Sequence, residues 1–289
     1  LVSLLTIASP GDTLFVDPNS HVVIAEMGGY ARLAGCTVHP VDSQGVLTAA
    51  HVRAHFARAW PSAGRPAIIW TENSHNRCGG VAWGPEILRD LVEVKAEFGL
   101  KLHVDGARLF NAAVAQNVPP RELAAGADTV TFCLSKGLGA PFGSIIVGAA
   151  ATIQRARQVR QLVGGGMRQA GVMAAAGLVA LREGPARLAA DHRRARQLGS
   201  VIEDIEGLSL AYPVQTNLVF INIDPDVLDP GRFFDDVTAQ GVGASPPRPG
   251  TRMFRLVTHH QVSDDDLAEA GEVLARAAER ARVRTVAAG

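Results

Sequence analysis

From Thr13 to Val147 the chain alternates short apolar runs with stretches whose apolar positions recur at helical spacing. Short apolar runs bounded by turn residues read as strands, and strands alternating with amphipathic helices read as β-α units stacked around a mostly parallel sheet. The pattern predicts strands at 13–16, 36–40, 67–71, 101–105, 129–134 and 143–147, with helices at 22–33, 47–59, 85–98 and 107–115. Pro85 suits the first turn of its helix, where the missing N–H is not needed. The opening LVSLLTIA is apolar but too short to span a bilayer and lacks a basic leader segment, so it reads as a buried helix.

After Gly148 the pattern changes to long helices at 150–162, 167–182 and 186–205. Strands follow at 208–212, 218–223 and 253–257, with helices at 230–240 and 264–280. Ser263 is placed as an N-cap, and the acids at 264–266 then complement the positive end of the helix dipole, a better account of them than a metal site. The expected architecture is α/β: a mostly parallel sheet with helices on both faces in a large domain, 1–183, and a smaller C-terminal α+β domain, 184–289.

Composition narrows the partners. The 28 basic and 28 acidic residues cancel, which leaves no stripe to attract nucleic acid or an anionic membrane surface. Three cysteines without C-x-x-C spacing suggest neither a disulfide framework nor a zinc site, and fit a reducing cytoplasm. A small-molecule substrate is the partner class left.

Two strands end on charge. KLHVDGARLF runs apolar into Asp105, with Arg108 behind it, and TVTFCLSKGLGAPFGS runs apolar into Ser135 and Lys136. In an open α/β sheet ligands sit beyond the carboxyl ends of the strands, and a charge left unpaired there costs stability. Asp105 and Lys136 could pair with each other, or both could face one ligand. Pyridoxal phosphate asks for that second arrangement, since it takes a lysine amine for its Schiff base and an aspartate beside its ring nitrogen. Glycines around Lys136 allow close backbone approach to a flat cofactor. GGGMRQ is not a dinucleotide motif, because no strand precedes it and the G-x-G-x-x-G spacing fails.

HVDGARLFNAAVA, FCLSKGLGAPFGSIIVG and GGGMRQAGVMAAAG, with TENSHN and FRLVTHH, resemble the L-threonine aldolases of the β-eliminating lyase family, pyridoxal-phosphate enzymes of fold type I. The resemblance implies retro-aldol cleavage of L-threonine or L-allo-threonine to glycine and an aldehyde, and a homotetramer. It implies Lys136 as the Schiff-base lysine, Asp105 as partner of the ring nitrogen, and His21 as the histidine stacked on the ring. Arg108 and Arg255 become the pair holding the substrate carboxylate, His75 a second active-site histidine and candidate base, and Arg168 a residue near the cofactor phosphate or a subunit interface. Family members also carry an N-terminal segment with a serine and a Gly-Thr phosphate turn that these 289 residues lack. The sequence is therefore expected to be incomplete at that end. Other pyridoxal-phosphate chemistry, β-elimination or transamination, and a non-catalytic remnant are the competing readings. His51 and His55 are expected to be solvated, His259 or His260 to line the pocket without an assigned role, and Trp60, Trp70 and Trp83 to be packing residues.

Overall fold

The computed structural model describes residues 1–58, 66–247 and 251–283, so Trp60 lies outside the described residues. They form two compact units, Leu1–Ala186 and Arg187–Gly289.

The first unit runs α1 (Val2–Ile7), β1 (Thr13–Val16), α2 (His21–Ile24), α3 (Gly29–Arg32), β2 (Thr37–Pro40), α4 (Ala49–Arg58) and β3 (Pro66–Glu72). It continues through α5 (Pro85–Phe98), β4 (Lys101–Asp105), α6 (Leu109–Gln116), β5 (Thr129–Cys133), β6 (Ser144–Gly148) and α7 (Ala150–Leu162). The six strands form one sheet in the order β2-β1-β3-β4-β5-β6, parallel except for the β5–β6 pair. Side chains alternate between faces along each strand. One face buries Ile69, Leu102, Val104 and Val130 against Leu88 and Leu91 of α5 and Ala112 of α6. The other buries Leu14, Val16, Ile68 and Trp70 against Leu4 and Ile7 of α1. A sheet covered on both faces explains why its strands read as continuous apolar runs.

Two expectations are corrected. The helix anticipated at 22–33 is broken into α2 and α3, because Met27 and Gly28 turn the backbone through left-handed conformations, φ 55° and 69°. The helices anticipated at 167–182 and 186–205 are one helix, α8 (Gly171–Glu203), which carries Pro185 inside it. An internal proline costs a helix about 3 kcal/mol. Burial of Leu188, Ala195, Leu198 and Ile202 along one side opposes that cost.

The second unit contains an antiparallel sheet of β7 (Leu208–Leu210), β8 (Leu218–Ile223) and β9 (Met253–Val257). The sheet packs its Val219, Ile221 and Leu256 against Phe233 of α9 (Pro230–Ala239) and Leu274 of α10 (Asp264–Ala281). Ser263 caps α10 as expected: its hydroxyl accepts the Asp266 N–H at 3.0 Å and the Asp266 carboxylate returns the bond to Ser263 N.

Candidate active site

The parallel register stacks two rungs of side chains on one face of the sheet at its carboxyl edge. Trp70, His103 and Thr129 are in register across β3, β4 and β5; two residues further on, Glu72, Asp105 and Thr131 are in register. The spacing of two puts both rungs on the same side. There all of them but Thr129 wall a cavity of about 250 Å³, together with His21, Ser74, Asn76, Arg108, Cys133 and Lys136. Trp70 is more than a packing residue, since its ring lies 3.9 Å, centroid to centroid, from that of His103 on the wall.

Local folding delivers each charged group. Lys136 sits in a tight loop in which Gly139, at φ 82°, donates its N–H to the Lys136 carbonyl at 2.9 Å, and Ala140 donates to Leu134 at 2.9 Å. Asp105 is followed by Gly106, where a Cβ would fall 2.7 Å from the Thr131 carbonyl oxygen, so only glycine lets the chain leave β4 this close to β5. Ala107 N–H donates to the Asp105 carboxylate at 3.1 Å. Burial raises the Asp105 pKa above its ordinary value against the opposing pull of Lys136. Among the described residues no ion pair joins the two; they face one cavity instead.

His21 opens α2. Its backbone N–H donates to the Glu72 carboxylate, and its ring Nδ1 lies 3.1 Å from Glu26 Oε1, with half of the side chain exposed. Arg108, just before α6, completes this side of the cavity.

Lys136, Asp105, His21 and Arg108 are thus brought together on one cavity, and two other expected residues of the same unit, His75 and Arg168, are not on its wall. His75 is 1% exposed and stands behind Glu72: its Nε2 is 3.8 Å from Glu72, 3.9 Å from Asp17 and 3.4 Å from the Ser20 hydroxyl. Burial holds its imidazole down to about 4, and it is not among the residues of the cavity wall. Arg168 lies exposed between α7 and α8. Arg255 belongs to the second unit, on β9, where it donates to the Ser245 hydroxyl at 3.0 Å. The sequence reading missed Glu72, although its signal was available: like Asp105, Glu72 is a carboxylate ending an apolar strand.

Two minor expectations also change. His51 and His55 are half-buried rather than solvated. His51 Nδ1 accepts the Thr48 N–H at 3.2 Å, while His55 lies 3.1 Å from a His39 nitrogen in a cluster with Phe15 and Phe56. Trp83 is buried, and its Nε1–H donates to the Glu72 carbonyl at 2.8 Å, so it packs beneath the site. His259 is on a surface groove of the second unit.

The geometry can be set beside known proteins. Threonine aldolase from Leishmania major has a solved structure matching 96% of this chain and 80% of that chain, with a TM-score of 0.76 and 19% identity. The architecture is therefore that of the pyridoxal-phosphate enzymes of fold type I. Residues 1–225 match the beta-eliminating lyase family, and the chain belongs to it. Low-specificity L-threonine aldolase 1 of Arabidopsis thaliana is 36% identical over 265 residues, 89% of this chain and 73% of that protein. The low specificity L-threonine aldolase of Escherichia coli K12 is 35% identical over 280 residues, 93% and 78%.

The cavity residues fit pyridoxal phosphate. Lys136 offers an amine, Asp105 a buried carboxyl suited to a protonated ring nitrogen, and His21 a flat side chain on the wall. No helix among the described residues is long and apolar enough to cross a membrane.

Proposed function

We infer that the protein is a pyridoxal-phosphate-dependent aldehyde-lyase that cleaves L-threonine and L-allo-threonine to glycine and acetaldehyde. The observation that carries this reading is the convergence of Lys136 and Asp105 on one cavity at neighbouring strand ends, in a chain more than a third identical to L-threonine aldolases over most of its length.

Lys136 would hold the cofactor covalently, Asp105 would keep its ring nitrogen protonated, and His21 would lie against the ring. When bound, pyridoxal phosphate supplies an electron sink for the pair released as the Cα–Cβ bond breaks. The remaining work belongs to the chain. Arg108 on the cavity wall binds the substrate carboxylate through paired guanidinium hydrogen bonds and so fixes which Cα bond is presented for cleavage. A base must accept the β-hydroxyl proton. Of the two histidines on the wall, His103 is buried and His21 half-exposed, and Glu26 at the His21 Nδ1 orients it so that Nε2 can take that proton. His75, behind the wall, supports Glu72 rather than touching substrate.

Assembly supports the same reading. Leu162 is 84% exposed, Met167 54% and Val172 79%, apolar side chains on either side of Arg168 in the sequence that a further copy of the chain would cover. The homotetramer that the family resemblance implies is our proposal for the assembly, with Arg168 at a subunit boundary. Three free cysteines support a reducing, cytoplasmic setting.

Borohydride treatment of the protein incubated with pyridoxal phosphate should lock the cofactor onto the peptide containing Lys136. Lys136→Ala should abolish threonine cleavage, and a variant cleaving at the parent rate would remove the lysine from its role. Products separate this chemistry from its neighbours on the fold: glycine and an aldehyde indicate aldol cleavage, whereas ammonia and a keto acid indicate elimination.

A further inference from the structure

The turn that follows β3 closes on the end of β1 and brings together three side chains of metal-binding type. Asp17 directly follows β1, and His75 and Cys78 lie on the turn between Glu72 and Val81. One ligand atom of each residue, a carboxylate oxygen, an imidazole nitrogen and the thiol sulfur, lies within 4.8 Å of the other two. All three residues are at most 7% exposed, and none is on the wall of the cavity described above. The spacing of the cysteines carries no zinc motif, because these ligands come from the ends of two separate strands that become neighbours only in the parallel sheet.

The three are placed as ligands rather than as partners of one another. His75 Nε2 is 3.9 Å from Asp17 Oδ1 and 3.8 Å from Glu72 Oε2, both too far for a hydrogen bond, and 3.4 Å from the Ser20 hydroxyl. Nδ1 of the same buried ring has no hydrogen-bond partner among the described residues. An imidazole so poorly satisfied in a dry place is costly unless a ligand engages it. Asp17 is held for that task. Its Oδ2 accepts the Ser43 hydroxyl, the Ser43 N–H and the Gly45 N–H, whereas Oδ1 accepts the Asn19 N–H and retains acceptor capacity. The loop after β2 closes over the group at Gly45, φ 82°, where a Cβ would fall 2.7 Å from that of Cys78 and 3.1 Å from that of His75.

A thiolate, an imidazole and a carboxylate together select zinc(II) over calcium or magnesium, which take oxygen ligands. Zinc bonds of about 2.0–2.3 Å set tetrahedral ligand atoms about 3.4–3.7 Å apart, so side-chain movements of about 1 Å close the set. Two anionic ligands also balance the dication, which leaves no net charge buried.

We propose that Asp17, His75 and Cys78 form a structural zinc(II) site that pins the turn after β3 to the end of β1, its fourth position filled by the Ser20 hydroxyl or a water. On binding, the Cys78 thiol gives its proton to solvent. The site takes no part in the reaction proposed above and stands whether or not the cavity holds pyridoxal phosphate. Its effect on the cavity is indirect, through Ser74 and Asn76, which the same turn holds on the wall.

The purified protein, stripped with a chelator, is titrated with zinc(II) and with cobalt(II) as its spectroscopic stand-in. The parent should take up a single equivalent of cobalt(II) with a sulfur-to-cobalt charge-transfer band in the near ultraviolet. Zinc(II) should displace it and raise the melting temperature. Cys78→Ser, which keeps the size of the side chain, should lose the band and weaken zinc(II) binding by more than the about 10- to 100-fold typical of losing a supporting residue. Cys36→Ser and Cys133→Ser should keep both. X-ray absorption at the zinc edge needs no variant: the parent should show one sulfur at about 2.3 Å among nitrogen and oxygen neighbours at about 2.0–2.2 Å. A parent without the cobalt band, a zinc shell without sulfur, or a band that survives in Cys78→Ser would each overturn the proposal.

Discussion

Asp17 and Glu72 are both buried carboxylates, both end a strand of the same sheet, and both lie just under 4 Å from the same nitrogen of His75. Their pKa values are displaced in opposite directions. Burial alone would raise Asp17, but the Ser43 hydroxyl at 2.7 Å and the N–H groups of Asn19 at 2.8 Å, Gly45 at 3.1 Å and Ser43 at 3.2 Å overcome it and hold the group below its ordinary value. Glu72 accepts one backbone N–H and faces a second carboxyl, so burial wins and the group is raised to about 8. Depth beneath the surface does not set the charge of a carboxylate; the number of donors supplied by local backbone does. Here it produces one anchor that stays ionised and, a few ångströms away, one acid poised to hold a proton.

The contrast can be broken from the Asp17 side. Asp17→Ala should have the largest effect, about 3 kcal/mol or more of lost stability in urea denaturation, because four donors lose their acceptor in a buried place. A loss of a few tenths would mean that these bonds do not hold the loop. Ser43→Ala removes only the hydroxyl bond and should cost about 1 kcal/mol in the same assay.

The pH response sharpens the comparison further. A lowered carboxyl stabilises the fold above its ordinary value and loses that contribution as pH falls through the folded value. The gap in melting temperature between parent and Asp17→Asn should therefore close as pH drops below about 4. A gap that widens on acidification would reverse the assignment. The smallest response is expected from a third carboxylate, Asp264, which is 59% exposed and bonded to Arg193 and Arg194. Solvent screens such pairs, so Asp264→Asn should leave the melting temperature within its scatter.

Much of this site was legible before folding was considered. An apolar run that stops on Asp105 with Gly106 behind it, and another that stops on Ser135 and Lys136, each announce a strand end aimed at a ligand, and the structure puts both on one cavity. Glu72 obeys the same rule and was passed over, because the eye takes TENSHN as a motif rather than as the end of the strand before it. His75 was misjudged for the converse reason. A histidine beside a strand end looks like a wall residue, yet the turn that begins at Asn73 carries it inward, where its backbone N–H donates to the Val81 carbonyl at 2.9 Å. The division of the helical stretch at Pro185 failed similarly, since the burial that carries α8 through the proline is a property of its packing partners.

Period and punctuation along the chain were enough to determine the β-α order, the sheet faces and the positions at which apolar strands give way to charge, because a side chain's face follows from backbone geometry alone. Which of those charges would share a cavity, which histidines would reach it, and in which direction each buried carboxyl's pKa would move were decided by tertiary structure. They depend on strand register and on hydrogen-bond donors contributed by residues distant in sequence, Ser43 for Asp17 and His21 for Glu72, and proximity of that kind is created only when the sheet assembles.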